Sequence, residues 1–261
     1  MRLSVRHEMK FAAADAAQNR VQHLLLTPRD TAGQTVHEWS IAMTGIESAA
    51  RFADAFGNTA CLVSQPRGED QLSITVSGIV ETTDTSGVVG LSDSDPAIAL
   101  FSRFTPQTKA NGNLVNRLRA QQKAGANRIE MLAWLMNVLH EARDGEEDED
   151  EAVEIVAEDH AHVFVGAARG MGIPARFVTG YVLTTDSEPA RLHAWAEAFD
   201  EELGWVGFDP SANLCPTPAY IRLAAALDAD SARPVRLAPD LPRTGADTIA
   251  VRQAEAGNQQ Q

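Results

Sequence analysis

The chain has 261 residues, of which 44% are hydrophobic and 22% charged, as in packed soluble proteins with one large domain or two ordinary ones. Thirty-six acidic residues against 22 basic ones give a net charge of −14. This charge repels phosphate backbones and anionic lipids, so we expect neither nucleic acid nor a membrane as partner. The two cysteines, Cys61 and Cys215, are too few for a disulfide framework. With no signal-like or membrane-spanning apolar run, we expect a cytoplasmic protein.

The N-terminal part is rich in segments whose apolar residues alternate with polar ones. Leu3, Val5, His7 and Met9 share one face in this pattern, which is typical of a half-buried strand. Further strands are predicted at 21–26, 35–43, 59–64 and 72–80. We therefore predict a β-rich domain over residues 1–85 and a linker over residues 86–112, which begins in a stretch rich in Thr, Ser, Asp and Gly.

After the linker, the spacing of apolar residues becomes helical. Leu114 and Leu118 indicate one helix, and the apolar residues from Ile129 to Leu139 a second. A third, buried helix is predicted over residues 159–169, followed by glycines that favour its end. The acidic run Asp144 to Glu151 is interpreted as a solvated loop. We assign residues 113–240 to a second domain and residues 241–261 to a C-terminal strand and a disordered tail.

Two strands of this second domain form a predicted hairpin, His193 to Phe199 and Trp205 to Asp209. If Phe199 pairs with Leu203, His193 lies opposite Asp209, with Cβ atoms about 5 Å apart. A carboxylate at that distance orients an imidazole and stabilises its charged form, as beside the nucleophile of a catalytic triad. An isolated pair of this kind is more often a buried structural histidine and an aspartate that caps a turn.

The residues around this pair form a longer pattern, made of Asp159-His160-Ala161-His162, Gly172 to Tyr181, His193-Ala194-Trp195-Ala196-Glu197 and Gly204 to Pro210. The pattern closely resembles the bacterial transglutaminase-like family. The resemblance implies an α+β fold, with a β-rich N-terminal domain before a papain-like core in which a helix packs on an antiparallel sheet. Family members carry a cysteine at the start of that helix and a histidine and an aspartate on adjacent strands. These roles fall on position 157, His193 and Asp209.

Alanine stands where the family has its nucleophilic cysteine. The family pattern Gly-x-Cys-x-Asp corresponds to Ile155-Val156-Ala157-Glu158-Asp159. Loss of such a nucleophile typically removes rate acceleration on the order of 10⁶-fold. Glu158 and the acidic run would also raise the pKa of a thiol placed there. Cys215 follows Asp209-Pro210 in a predicted loop, and the family motif places no base beside it.

Two hypotheses of function follow from this departure. The favoured one is a non-catalytic pseudoenzyme that binds a peptide or a partner protein as a complex subunit. The resemblance implies an ATP-grasp ligase or an active homologue as that partner, and no cofactor. The alternative is an active amide hydrolase or acyltransferase, of the protease or transglutaminase type, that carries an engineered cysteine-to-alanine change. Ile155 and Glu158 favour the first hypothesis, since one engineered change does not explain them.

Three further residues are candidate substrate contacts, Trp195, Trp205 and Arg176. Arg176 would bind a substrate carboxylate or pair with an acid on the protein surface, and the second is the commoner fate of an arginine. We predict no metal site, because His160 and His162 are two residues apart on a helix and point in different directions. One of them is expected in the core and the other on the surface.

Overall fold

The computed structural model describes residues 1–12, 19–65, 71–92, 95–144, 157–183 and 190–254 of the chain. The predicted acidic loop beyond Asp144 and the predicted disordered tail lie outside these residues. Among the described residues, no helix is long and apolar enough to cross a membrane.

Thirteen strands and three α-helices make up the described part of the structure. The strands are β1 Arg2–Phe11, β2 Arg20–Thr27, β3 Gln34–Ala42, β4 Ala50–Ala53, β5 Thr59–Gln65, β6 Leu72–Thr82, β7 Val88–Gly90, β8 Ala175–Val182, β9 Leu192–Asp200, β10 Gly204–Phe208, β11 Tyr220–Ala226, β12 Val235–Ala238 and β13 Thr248–Gln253. The helices are α1 Gly112–Lys123, α2 Arg128–Asp144 and α3 Ala157–Gly170.

Two four-stranded antiparallel sheets, in the orders β13-β1-β6-β3 and β12-β2-β5-β4, form the N-terminal module. The alternation predicted for β1 is present, because Leu3, Val5, His7 and Met9 are all buried on one face. They join a core to which both sheets contribute, for example through Leu24 of β2. Burial of this shared apolar surface holds the two sheets together.

Two strands of this module come from the C-terminal part of the chain. β12 pairs with β2, and β13 pairs with β1 from Leu3 opposite Gln253 to Glu8 opposite Thr248. β12 falls inside the range that the sequence assigns to the second domain, while β13 is the predicted C-terminal strand. The predicted domain boundaries stay predictions, but the pairing shows that the chain returns to its starting module.

The second module is built on a five-stranded antiparallel sheet in the order β11-β8-β9-β10-β7. α3 packs against β8 and β9, where its apolar face meets alanines of β9 such as Ala196 and Ala198. α1 and α2 pack on α3. The edge strand β7 lies within the predicted linker. The packing of α3 on this antiparallel sheet confirms the predicted α+β class and the predicted arrangement of helix and sheet.

Arg169, near the end of α3, joins the helix to its surroundings. Its buried guanidinium donates hydrogen bonds to the carbonyl oxygens of Phe101, Ala175 and Leu227 and to the Thr108 hydroxyl. Because buried acceptors need a donor, this one side chain provides hydrogen bonds to oxygen atoms of four separate segments.

The helix ends where the sequence predicts it to end. α3 ends at Gly170, and two residues later Gly172 has a φ of 77°.

Candidate active site

His193 and Asp209 are in direct contact. His193 is the second residue of β9, and Asp209 directly follows β10. The Nε2 atom of His193 lies 2.6 Å from Oδ2 of Asp209. The aspartate is fully buried, whereas the side chain of His193 is 24% exposed. The aspartate therefore holds one ring nitrogen, and Nδ1 is left as the nitrogen that could exchange a proton with a reacting group.

The register predicted for this hairpin is wrong by two residues. Phe199 pairs with Trp205 and not with Leu203. Asp200 causes the shift, because its Oδ1 accepts the backbone N–H groups of residues 202 and 203, and Gly204 follows with a φ of 74°. Strand side chains alternate with a period of two, so the shift keeps His193 and Asp209 on one face as diagonal neighbours.

The Asp209 carboxylate has donors on both oxygens. Oδ2 also accepts the hydroxyl of Tyr220 at 2.7 Å, and Oδ1 accepts the hydroxyl of Ser211 at 2.6 Å. Burial alone would raise the pKa of Asp209, but the hydrogen bond and charge of His193, with the bonds from Ser211 and Tyr220, outweigh it and hold this pKa below its ordinary value. The carboxylate is thus kept ionised.

This lowered pKa links the stability of the protein to pH. Because the folded-state pKa of Asp209 lies below the ordinary 3.8, its stabilisation is complete above that value and is lost as the pH falls through the folded-state pKa. We expect Asp209→Asn to lower the free energy of unfolding by about 1–3 kcal/mol at pH 7, and by less at pH 3. Urea unfolding at both pH values measures the difference. Asp240→Asn, at an exposed position, is the control, and an equal loss at both pH values would contradict the assignment.

Aromatic rings enclose the imidazole of His193. Trp195 stacks on it with ring centroids 6.3 Å apart, and Tyr220 meets it edge-on at 5.8 Å. The Trp195 ring lies over Gly180, where an added Cβ would stand 2.6 Å from it. Gly180 pairs with His193 across β8 and β9, so the absence of a side chain there makes room for the indole.

The N-terminal end of α3 lies at the same end of the sheet. Ala161, one turn into the helix, packs with Ala194, the neighbour of His193. α3 begins at Ala157, whose side chain lies outside the part of the chain that the structure describes. The first turn of α3 therefore lies near the N-terminal end of β9, while the role of position 157 stays a prediction.

Arg176 pairs with an acid, but in the core and not on the surface as predicted. Its Nε donates to Oε2 of Glu197 at 2.6 Å, and Arg222 donates to Oε1 of the same carboxylate at 2.7 Å. Burial lowers the pKa of Arg176 to about 10, against the opposing effect of Glu197. Burial would raise the pKa of Glu197, but the two guanidinium groups outweigh it and keep this pKa low.

The other two candidate substrate contacts are enclosed by the protein. Trp205 is fully buried, with the guanidinium of Arg176 centred 3.9 Å from its ring, and Trp195 is almost as buried. Their packing roles are clear from these contacts, whereas their role in binding a substrate stays a prediction. Sequence reasoning missed Tyr220, Glu197 and Arg222 as partners. The signal for the last two was a charged residue between apolar neighbours, Glu197 between two alanines in β9 and Arg222 between Ile221 and Leu223 in β11.

The expectation of one core and one surface histidine on α3 is wrong, because His160 and His162 are both buried. Nε2 of His162 accepts the backbone N–H of Ala229, and its ring stacks on Phe177 at 4.8 Å. Burial lowers the pKa of His162 and favours its neutral form. A loop after β11 therefore covers the helix face that was expected to meet solvent. Within the described ranges, no three His, Cys, Asp or Glu side chains converge as metal ligands do.

Two family models match the chain. Residues 3–81 match the bacterial transglutaminase-like N-terminal region, and residues 133–210 match the core of the transglutaminase-like superfamily. The second match spans position 157, His193 and Asp209. The uncharacterized protein ML0607 of Mycobacterium leprae is 21% identical over 90% of this chain and 92% of its own length.

The fold is similar to that of a solved protein as well. A candidate cysteine protease from Cytophaga hutchinsonii superposes with a TM-score of 0.72 at 18% identity, over 98% of this chain and 92% of that one. The periplasmic domain of TgpA from Pseudomonas aeruginosa gives a TM-score of only 0.36 at 15% identity, over 81% of this chain and 90% of that one. The matches in sequence and fold agree with the order of modules described above. The chain belongs to the transglutaminase-like superfamily, with a bacterial transglutaminase-like N-terminal region ahead of the core.

Proposed function

We propose that this transglutaminase-like protein performs no thiol chemistry at position 157 and binds a peptide or a partner protein as a subunit of a complex. One observation carries the proposal: the residue that begins α3 is alanine, while the two other residues of the family pattern, His193 and Asp209, are in hydrogen-bond contact at 2.6 Å. A base and its orienting carboxylate need a nucleophile to activate, and an alanine methyl group offers no electron pair.

Neither cysteine is a suitable replacement for the missing thiol. Burial raises the pKa of Cys215, which disfavours the thiolate that would have to attack a carbonyl group. Cys215 lies in the loop after β10 and packs beside Gly87. Cys61 is buried in the core of the N-terminal module, among apolar residues of β1 and β2. Both contacts support structural roles for these side chains.

Restoring the thiol tests the catalytic half of the proposal. We expect Ala157→Cys, made in a Cys215→Ser background, to be alkylated by iodoacetamide with the pH dependence of an ordinary thiol, whose pKa is about 8.5. Glu158 and the acidic run 144–151 disfavour a thiolate at that position. Peptide and glutamine-donor turnover should stay near the uncatalysed rate.

A matched variant makes this result interpretable. Adding His193→Ala to Ala157→Cys removes the base, and we expect little further change in alkylation or turnover. Rapid alkylation at pH 6 or rapid peptide hydrolysis, each abolished by His193→Ala, would overturn the proposal. Thermal unfolding of each variant verifies that it is folded.

The binding half of the proposal is supported by the family resemblance, which points to an ATP-grasp ligase or an active homologue as partner. Co-expression with each such protein from the source cell, followed by size-exclusion chromatography, tests it directly. Co-elution in a fixed ratio is the expected result. Elution of the chain alone in every combination would contradict it. A cytoplasmic location stays a prediction, and cell fractionation tests it.

The alternative function is an active cysteine-dependent amide hydrolase or acyltransferase that carries an engineered Cys→Ala change. The hydrogen-bond contacts of His193 and Tyr220 with the Asp209 carboxylate favour it, since such a carboxylate orients a catalytic base. The codon for position 157 in the natural gene separates the two functions. A cysteine codon establishes the alternative, and an alanine codon leaves the proposed function.

A further inference from the structure

A cavity of about 470 Å³ lies where the N-terminal module, the segment around β7 and the core sheet meet. Its volume is within the range of about 300–1,000 Å³ that is typical of small-ligand sites. Five charged residues contribute to its lining, Arg29, Asp30, Asp95, Arg176 and Arg222.

Two of the arginines share a single carboxylate. Arg176 and Arg222 both bond to Glu197, whose side chain is fully buried. One negative charge thus balances two positive ones at this wall of the cavity. The bonds to Glu197 use Nε of Arg176 and Nε and Nη2 of Arg222, and the other guanidinium nitrogens make no hydrogen bond to a described residue. An arginine fork of this kind is suited to a second carboxylate.

The acids of the lining are already engaged elsewhere. Oδ1 of Asp30 accepts the backbone N–H of Val36 at 2.8 Å. Oδ2 of Asp95 accepts the backbone N–H of Ser92 at 3.1 Å, and its Oδ1 lies 4.0 Å from Arg29. These contacts give the two acids partners of their own, although the charge of Asp95 also acts on Arg176. Among the described residues, Glu197 is the one acid in ion-pair contact with Arg176 and Arg222.

The rest of the wall includes apolar side chains. Val89 and Ala32 line the cavity, as does Leu91, which is 60% exposed. These side chains give the cavity an apolar part that can contact an aliphatic group of the same ligand. The lining therefore combines a fork for a carboxylate with a surface for a short apolar chain.

We propose that this cavity binds a carboxylate group, which Arg222 and Arg176 receive, on a ligand with a short aliphatic portion. The carboxylate belongs to a small organic acid or to the C-terminus of a peptide. The site is separate from the candidate active site, because Glu197 is four residues from His193 along β9, about 13 Å for an extended strand, and Trp195 lies between them. The proposal does not depend on whether position 157 is catalytic.

Isothermal titration calorimetry of the full chain tests this site with three probes: isovalerate, acetyl-Ala-Ala-Leu with a free carboxylate, and the same peptide as its amide. We expect at least one of the two acids to bind and the amide not to bind. Binding of isovalerate alone assigns the carboxylate to a small acid, and binding of the free peptide assigns it to a peptide C-terminus. Two results would overturn the proposal. One is equal binding of the peptide acid and the peptide amide, and the other is no heat of binding from any probe up to about 10 mM, a concentration on the order of the Kd of a weak ligand.

Arg222→Gln is the matched variant, because it leaves Arg176 and Glu197 as a balanced pair and removes the excess charge. We expect it to weaken binding of the acid at least tenfold while the protein stays folded by circular dichroism. Arg233→Gln, which removes an exposed arginine paired with Asp230, is the control and should bind as the wild type does. Equal affinities in the two variants would show that the cavity is not the binding site. If Arg222→Gln fails to fold, Leu91→Asp replaces it as the test variant, at the exposed part of the lining. The new carboxylate would repel the carboxylate of the ligand, so we expect weaker binding. Unchanged affinity would count against the site.

Discussion

Glu197→Gln is expected to lower the free energy of unfolding by about 3–5 kcal/mol, the cost of leaving buried charges without their partner. In the native structure the Glu197 carboxylate is the acceptor for both Arg176 and Arg222. Glutamine keeps the size of the side chain but removes its charge, so two guanidinium groups would face each other without compensation. Guanidinium chloride unfolding at pH 7 measures the loss.

The matched control is Glu201→Gln. Glu201 also pairs with an arginine, Arg128, at 3.0 Å, but its side chain is 79% exposed. Solvent screens such a pair, and we expect a change of less than about 1 kcal/mol. Similar losses of unfolding free energy in the two variants would mean that burial does not determine how much the Glu197 carboxylate contributes to stability.

Gly180→Ala is expected to destabilise the protein by about 3 kcal/mol. A Cβ at this position would stand 2.1 Å from the carbonyl oxygen of Ile221 and 2.6 Å from the Trp195 ring. The first contact is with backbone, so β11 must move away from β8, and the indole must turn to relieve the second. Calorimetric unfolding measures the loss, and near-ultraviolet circular dichroism reports the displaced tryptophan.

Gly112→Ala serves as the control for that substitution. A Cβ at Gly112 meets nothing within 4 Å, and this residue begins α1. We expect a change within about 0.5 kcal/mol, in either direction. If Gly180→Ala were as mild as Gly112→Ala, the close packing of Trp195 over β8 would not be needed for stability.

The fold was largely predictable because most elements carry a local periodic signal. The alternation in β1 and the helical spacing of α1, α2 and α3 reflect one buried face each. β4 was missed because all four of its residues are exposed and show no alternation. β7 and β12 were missed because three or four residues are too few for a period, and their pairing partners are distant in sequence.

The sequence predicted only part of the candidate site. The contact of His193 with Asp209 was found although the register was wrong, because a shift of two residues keeps both side chains on one face. The bonds from Tyr220 to Asp209 and from Arg222 to Glu197 depend on β11 lying beside β8, with a register shift near Arg222. No local pattern encodes which strand is the neighbour, so these partners emerge only from the assembled sheet.

The pairing of β13 with β1 has a consequence for how the protein is made. Leu3 leaves the ribosome 250 residues before its partner Gln253 is synthesised. Until then one edge of β1 has exposed backbone donors and acceptors, which can pair with another chain. Contacts of such long sequence separation also slow folding. A chaperone that shields this edge during translation would therefore raise the yield of native protein, and a fragment cut between the two modules would lack β12 and β13 and carry the same unprotected edge.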